Sequence, residues 1–187
     1  MADLLANLGR VASQRSDLKQ AEQYQREAVT LTRTWYGRDH AQSAFAEFAL
    51  AQTLNRANRP AEARDLLLRT IDVLTHSRDI GPNDTTTAGA LGALGTSMSA
   101  LGDPRGARAM HQRAARLLRA ARGPETESAL IEDANVAATL LAEGRTDTAI
   151  ALLRGTVARA ARSFGERNLT TAHLQERLAT VLLEAKR

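Results

Sequence analysis

The sequence predicts an all-α fold, a solenoid of antiparallel helical hairpins, and three observations predict it. Four small residues, Ala21, Ala63, Ala107 and Ala149, recur at intervals of 42, 44 and 42 residues. A period near 40 residues is the mark of a repeat array. A helix-stop signal precedes each alanine: Arg15-Ser16, Ala57-Asn58, Leu101-Gly102-Asp103-Pro104 and Glu143-Gly144. Gly or Asn ends one helix, Asp caps the next, and Pro suits its first turn. A second glycine series, Gly37, Gly81, Gly123 and Gly165, runs at 44, 42 and 42 residues between the alanines.

The elements follow in order. The first helix spans residues 1–14, with Leu4, Leu5, Leu8, Val11 and Ala12 in one apolar stripe. The second spans 17–35, turns Ala21, Tyr24, Ala28 and Leu31 inward, and stops at Tyr36-Gly37. The third opens at His40 and runs to about Ala57. Further helices are expected at 60–78, 85–101, 104–122, 127–143, 146–164 and 169–186. His40, Asp84, Thr126 and Asn168 each stand three residues after a glycine of the second series, where an N-cap belongs. The two extra residues of the second repeat fall near its second helix end, between His76 and Ile80, in the helix or its loop. No linker interrupts the pattern, so a single array over 1–187 is expected. Its repeats are 1–40, 41–84, 85–126 and 127–168, and its final helix is 169–186. That helix should expose Glu176, Arg177, Glu184, Lys186 and Arg187, as an array's polar end must.

Composition narrows the function. Aromatics are 3% of the chain, so the core must be Ala and Leu. Cysteine is absent, which removes disulfides, thiolate metal sites and a Cys nucleophile. No apolar run approaches the length of a transmembrane helix. The first residues lack a basic region followed by a long apolar core, and a cytoplasmic location is the default expectation. Net charge is +4 with Lys19 and Lys186 the only lysines. Interspersed acids make this a poor nucleic-acid footprint.

The repeated triplets Asn7-Leu8-Gly9, Ala49-Leu50-Ala51, Ala93-Leu94-Gly95 and Asn135-Val136-Ala137 each begin 14 residues before an anchoring alanine. With the connection Gly37-Arg38-Asp39-His40, the chain resembles tetratricopeptide repeats. The match is to the 42-residue kind found in kinesin light chains and many bacterial proteins. The family's Pro after the connection is missing. Leu18, Pro60, Pro104 and Thr146 replace the aromatic that usually precedes the second helix. The resemblance implies a right-handed α-solenoid of four hairpins plus a C-terminal capping helix. First helices would line a concave groove, and second helices the convex outside. The implied function is non-catalytic protein or peptide binding.

On that reading Asn7, Arg10 and Gln14 line the groove, followed by Phe45, Gln52 and Arg56, then Thr96, then Asn135. Ala93, Thr96, Ala134 and Ala138 leave room for an apolar anchor. Guanidinium and amide groups suit an acidic segment, because charge-assisted bonds are the stronger kind. The small residues Gly9, Ala51, Gly95, Ala137 and Ala179 are expected at close helix contacts.

Catalytic patterns are lacking. There is no nucleophile elbow or phosphate loop. Gly89, Gly92 and Gly95 fall inside a helix, where packing explains them. His40, His76, His111 and His173 occupy different repeat positions, so neither metal nor cofactor is expected. Glu132 and Asp133 read as solvated carboxylates. Arg105, Arg108, Arg116 and Arg119 form a basic stripe, expected to be a solvated convex face. Three alternatives remain: self-association through the first helix, a regulatory segment of a larger signalling protein, and nucleic-acid binding through the arginine stripe.

Overall fold

The computed structural model describes residues 1–185. Lys186 and Arg187, assigned above to the last helix, lie outside the described residues. The elements are α1 (Ala2–Gln14), α2 (Leu18–Tyr36), α3 (Ala41–Arg56), α4 (Pro60–His76), α5 (Thr85–Ala100), α6 (Pro104–Arg122), α7 (Glu127–Ala142), α8 (Thr146–Phe164) and α9 (Leu169–Ala185). Among the described residues there is no strand. The chain divides into two compact units, with the boundary between Leu101 and Gly102. Unit 1 holds α1 to α5 and unit 2 holds α6 to α9. In unit 1 each helix packs on the next, and the first helices α1, α3 and α5 also touch in series. In unit 2, α6 to α9 pack consecutively and α7 meets α9.

The anchoring alanines Ala21, Ala63, Ala107 and Ala149 are all 0% exposed. Around them the core is leucine: Leu50, Leu54, Leu67 and Leu91 in unit 1, and Leu130, Leu140 and Leu153 in unit 2. Each such burial contributes about 1.5–3 kcal/mol. Gly9 shows why the partner positions are small. A Cβ there would lie 2.8 Å from Cγ of Gln25 and 3.3 Å from the Ala21 carbonyl oxygen. Ala179 departs from this pattern. It is exposed, because among the described residues no second helix follows α9 to pack on it.

The turns between paired helices need a left-handed residue. Ser16 and Asn58 supply it with φ of 64° and 57°, and Gly102 and Gly144 with 83° and 76°. That conformation lets the following N–H groups close the helix end. Asp17 then accepts from the Gln20 N–H at 3.0 Å, and Asp103 from the Gly106 N–H at 2.8 Å. Of the second cap series, His40, Asp84 and Asn168 accept backbone N–H bonds. Thr126 does not; its hydroxyl turns back toward the Gly123 carbonyl instead. The extra residues of the second repeat lie in the loop. Helix α4 ends at His76, and the Gly81 N–H reaches back to the Leu74 carbonyl at 3.1 Å.

Candidate functional site

In unit 1, α1 and α3 present Asn7, Arg10, Gln14, Gln52 and Arg56 as exposed side chains, and Thr96 of α5 is exposed as well. Arg10 has one partner, the side-chain oxygen of Asn7 at 3.5 Å. Arg56 reaches from α3 to the Ser13 hydroxyl of α1. Neither guanidinium has a carboxylate partner among the described residues. Thr96 donates to the Gly92 carbonyl at 3.2 Å. Phe45 is half-buried and packs on Ala44, Val73 and Leu74 beside Ala41 and Ile80. Its neighbour Phe48 lies over Gly89, where a Cβ would come within 3.2 Å of the ring.

Two residues that sequence reasoning missed tie α3 to α5. Asn55 donates to the Ala93 carbonyl at 3.1 Å, and Ser97 donates to the side-chain oxygen of Asn55 at 2.8 Å.

Asn135 belongs to unit 2 and is occupied there. Its Oδ1 accepts from Arg177 at 3.2 Å and its Nδ2 donates to Glu132 at 3.4 Å. Arg177 also donates to the Ala134 carbonyl at 3.0 Å. Arg177 is thus half-buried rather than exposed. Burial pushes its guanidinium below the usual arginine value, and the Glu132 charge opposes that. Ala134, expected to leave room for a ligand, is fully buried.

The acids Glu132 and Asp133 are not solvated. Glu132 sits 2.6 Å from Nδ1 of the buried His111. Asp133 is buried between Arg119 of α6 and Arg159 of α8. The arginine stripe is accordingly split: Arg119 holds Asp133, Arg108 holds Glu143 at 2.8 Å, and Arg105 and Arg116 stay exposed. Unit 1 carries the counterpart. Glu47 of α3, 1% exposed, lies between Arg33 of α2 and Arg69 of α4. Nε of Arg33 stands 2.8 Å from its Oε1, and Nε of Arg69 stands 2.9 Å from its Oε2. A signal for both clamps existed in the sequence. Each acid interrupts an apolar stretch and follows an arginine by 14 residues.

A more exposed cluster joins α2 to the start of α4. Glu22 accepts from Arg26 and Arg59, and Arg59 also grips Glu62. Burial alone would raise the Glu22 carboxyl, but the hydrogen bonds from Arg26 and Arg59 hold it below the usual range. The Arg59 hydrogen bond does the same for Glu62.

The outer face of α1 is apolar and uncovered, with Leu4 56% exposed and Leu8 and Val11 each 39% exposed. The equivalent face of α9 carries Leu174, Leu178 and Val181, which pack into the unit 2 core. A cleft of about 430 Å³ runs between α2 and α4 over the floor of Leu50 and Leu54. A notch of about 240 Å³ lies between the start of α1 and the end of α2. Among the described residues no group of three His, Cys, Asp or Glu is arranged to hold a metal ion. No described helix is long and apolar enough to cross a membrane.

Two family models, both described as tetratricopeptide repeat, match residues 1–76 and 87–126, together more than half of the chain. The chain belongs to the tetratricopeptide-repeat family, and its fold class is the all-α solenoid of that family. Solved structures agree in fold. The nearly identical TPR-like repeats of a Podosopora anserina kinesin light chain match with TM-score 0.80 and 17% identity over 99% of this chain and 87% of that one. BtubC (BKLC) from P. vanneervenii matches with TM-score 0.76 and 15% identity over 89% and 66%. A Rap protein complexed with competence and sporulation factor matches with TM-score 0.76 and 18% identity. This chain is covered whole there but spans only 53% of the Rap protein. No curated protein matches the sequence. The repeats make the chain a protein-interaction scaffold of a fold that is typically non-catalytic, with protein or peptide partners.

Proposed function

We propose that unit 1 holds an acidic peptide segment against the face formed by α1 and α3, without catalysis, in the cytoplasm. One observation carries this reading. Arg10 and Arg56 sit on adjacent first helices with only the neutral Asn7 and Ser13 as partners. Arg26, Arg33, Arg59, Arg64 and Arg69, on or beside the second helices of the same unit, hold carboxylates, while Arg15, Arg38 and Arg78 at the helix ends have none among the described residues. A guanidinium without a carboxylate is a ready donor to an incoming one. The Rap protein that shares the fold was solved with a bound factor, which supports ligand holding by such repeats. The test is calorimetric titration with peptides carrying Asp or Glu beside a bulky apolar residue, against their Asn and Gln counterparts. The acidic peptides should bind more tightly, and Arg10→Ala with Arg56→Ala should weaken them by about 1.5–3 kcal/mol. Equal affinities across both comparisons sink the proposal.

A second reading, self-association, draws on the outer face of α1. Leu4, Leu8 and Val11 are uncovered there, while the equivalent face of α9 is packed. An antiparallel α1 pair would join these stripes and bring Asp3 of one copy toward Arg15 of the other. Light scattering should show concentration-dependent dimers that Leu8→Glu abolishes. Monomer at every concentration rules this reading out.

A further inference from the structure

We propose that the notch between the start of α1 and the end of α2 binds an alkylated ammonium group. Trp35, the chain's one tryptophan, is 80% exposed at this notch. Tyr36 lines it as well, and its ring is held by stacking on His40 at 4.9 Å between centroids and 22° between planes. Met1, with its α-amino group, Ala2 and Asp3 form the wall at the start of α1, and Leu31 lies one helical turn before Trp35.

Asp3 makes no hydrogen bond or ion pair among the described residues. Glu22, Glu47, Glu62 and Asp65 of the same unit each face an arginine, whereas Asp3, like Glu27, Asp39 and Asp79, faces none among the described residues. An unpaired carboxylate lining the same notch as two aromatic side chains selects for a particular kind of charge. A neutral apolar group would fill the notch but strip water from Asp3 with nothing in return. A small hydrated metal ion would satisfy Asp3 and gain little from the rings. A cation with an apolar shell satisfies both, through charge attraction and cation–π contact. Such a head group comes from a choline-type small molecule or from a methylated lysine of a partner chain. The site carries the opposite charge preference to the acidic-peptide face.

Trp35 is its own reporter. Choline, 3,3-dimethylbutan-1-ol (the neutral group of the same shape) and a short peptide containing trimethyl-lysine are titrated while indole fluorescence is followed. The expected result is a saturable change with a cationic probe and binding about tenfold weaker for the neutral one. Asp3→Asn should lose about the same factor, Asp3→Glu should keep it, and thermal melts should confirm that both variants remain folded. Tighter binding of the peptide than of choline assigns the head group to a partner chain, and the reverse assigns it to a small molecule. The proposal is overturned by equal affinity for charged and neutral probes, by no saturable signal from either cation, or by an Asp3→Asn variant that binds as the wild type does.

Discussion

Glu47 in unit 1 and Asp133 in unit 2 occupy the same register position of alternate repeats, yet they are held differently. Glu47 accepts a hydrogen bond from the Nε of each of its arginines. Asp133, one methylene shorter, is met by a single terminal nitrogen from each side. The first arginine is equivalent in the two clamps: Arg33 and Arg119 both lie 12 residues past the anchoring alanine. The second is not. Arg69 stands 6 residues past its alanine and Arg159 stands 10 past its own. The shorter acid is thus served by an arginine one turn further along the next helix. At the intervening repeats the acid is replaced by Leu5 or Leu91, both buried. The same site accepts either an apolar side chain or a fully paired charge, but not half of a pair.

The largest expected effect tests that statement. Glu47→Leu, which installs the residue found at the intervening repeats, leaves two guanidiniums facing apolar surface and should cost about 3–5 kcal/mol. Asp133→Leu strands Arg119 and Arg159 in the same way and should also cost about 3–5 kcal/mol. Adding Arg33→Thr to Glu47→Leu copies the Thr75 and Leu91 combination and should recover about half of that loss, since Arg69 stays without a carboxylate. Denaturant melts measure all three. A double variant no better than the single breaks the comparison.

The smallest effect concerns the exposed cluster that unit 1 adds. The ordinary value for Glu22 is 4.5, and its folded value lies lower. Stability from that difference is therefore complete above the ordinary value and is lost as pH falls through the folded one. Glu22→Gln should flatten the fall in melting temperature between about pH 5 and pH 3. An unchanged slope would mean that Glu22 has the same affinity for protons folded and unfolded.

The helices are legible in the sequence because each boundary is written locally. Asp17, Asp103 and Gly144 act within four residues of themselves, and the anchoring alanines report one repeated contact. The paired charges are not legible in the same way. Asp133 reads as a surface acid until Arg119 and Arg159 arrive from two other helices. Arg177 reads as a polar end residue until its reach to Ala134 and Asn135 is seen. Asn135 reads as a ligand donor for the same reason, although its amide is already committed. Thr126 has the right residue type for a cap but turns its hydroxyl elsewhere. For the proposed binding face, sequence puts Arg10 and Arg56 on adjacent first helices, at neighbouring register positions, but does not show that both lack acidic partners.

The alternation has a consequence for how such a chain can grow or shrink. Arg33 leads to Glu47 and Arg119 to Asp133, while Thr75 leads to Leu91 and Ala161 to Gln175. Each acid depends on the hairpin before it. Removing a single hairpin would bring a charged edge against a neutral one and strand an acid or an arginine at the new junction. Removing two adjacent hairpins keeps every junction matched. The charge pattern therefore repeats every two hairpins, 86 residues from Glu47 to Asp133, and the parity of an insertion or deletion decides whether these charges stay matched.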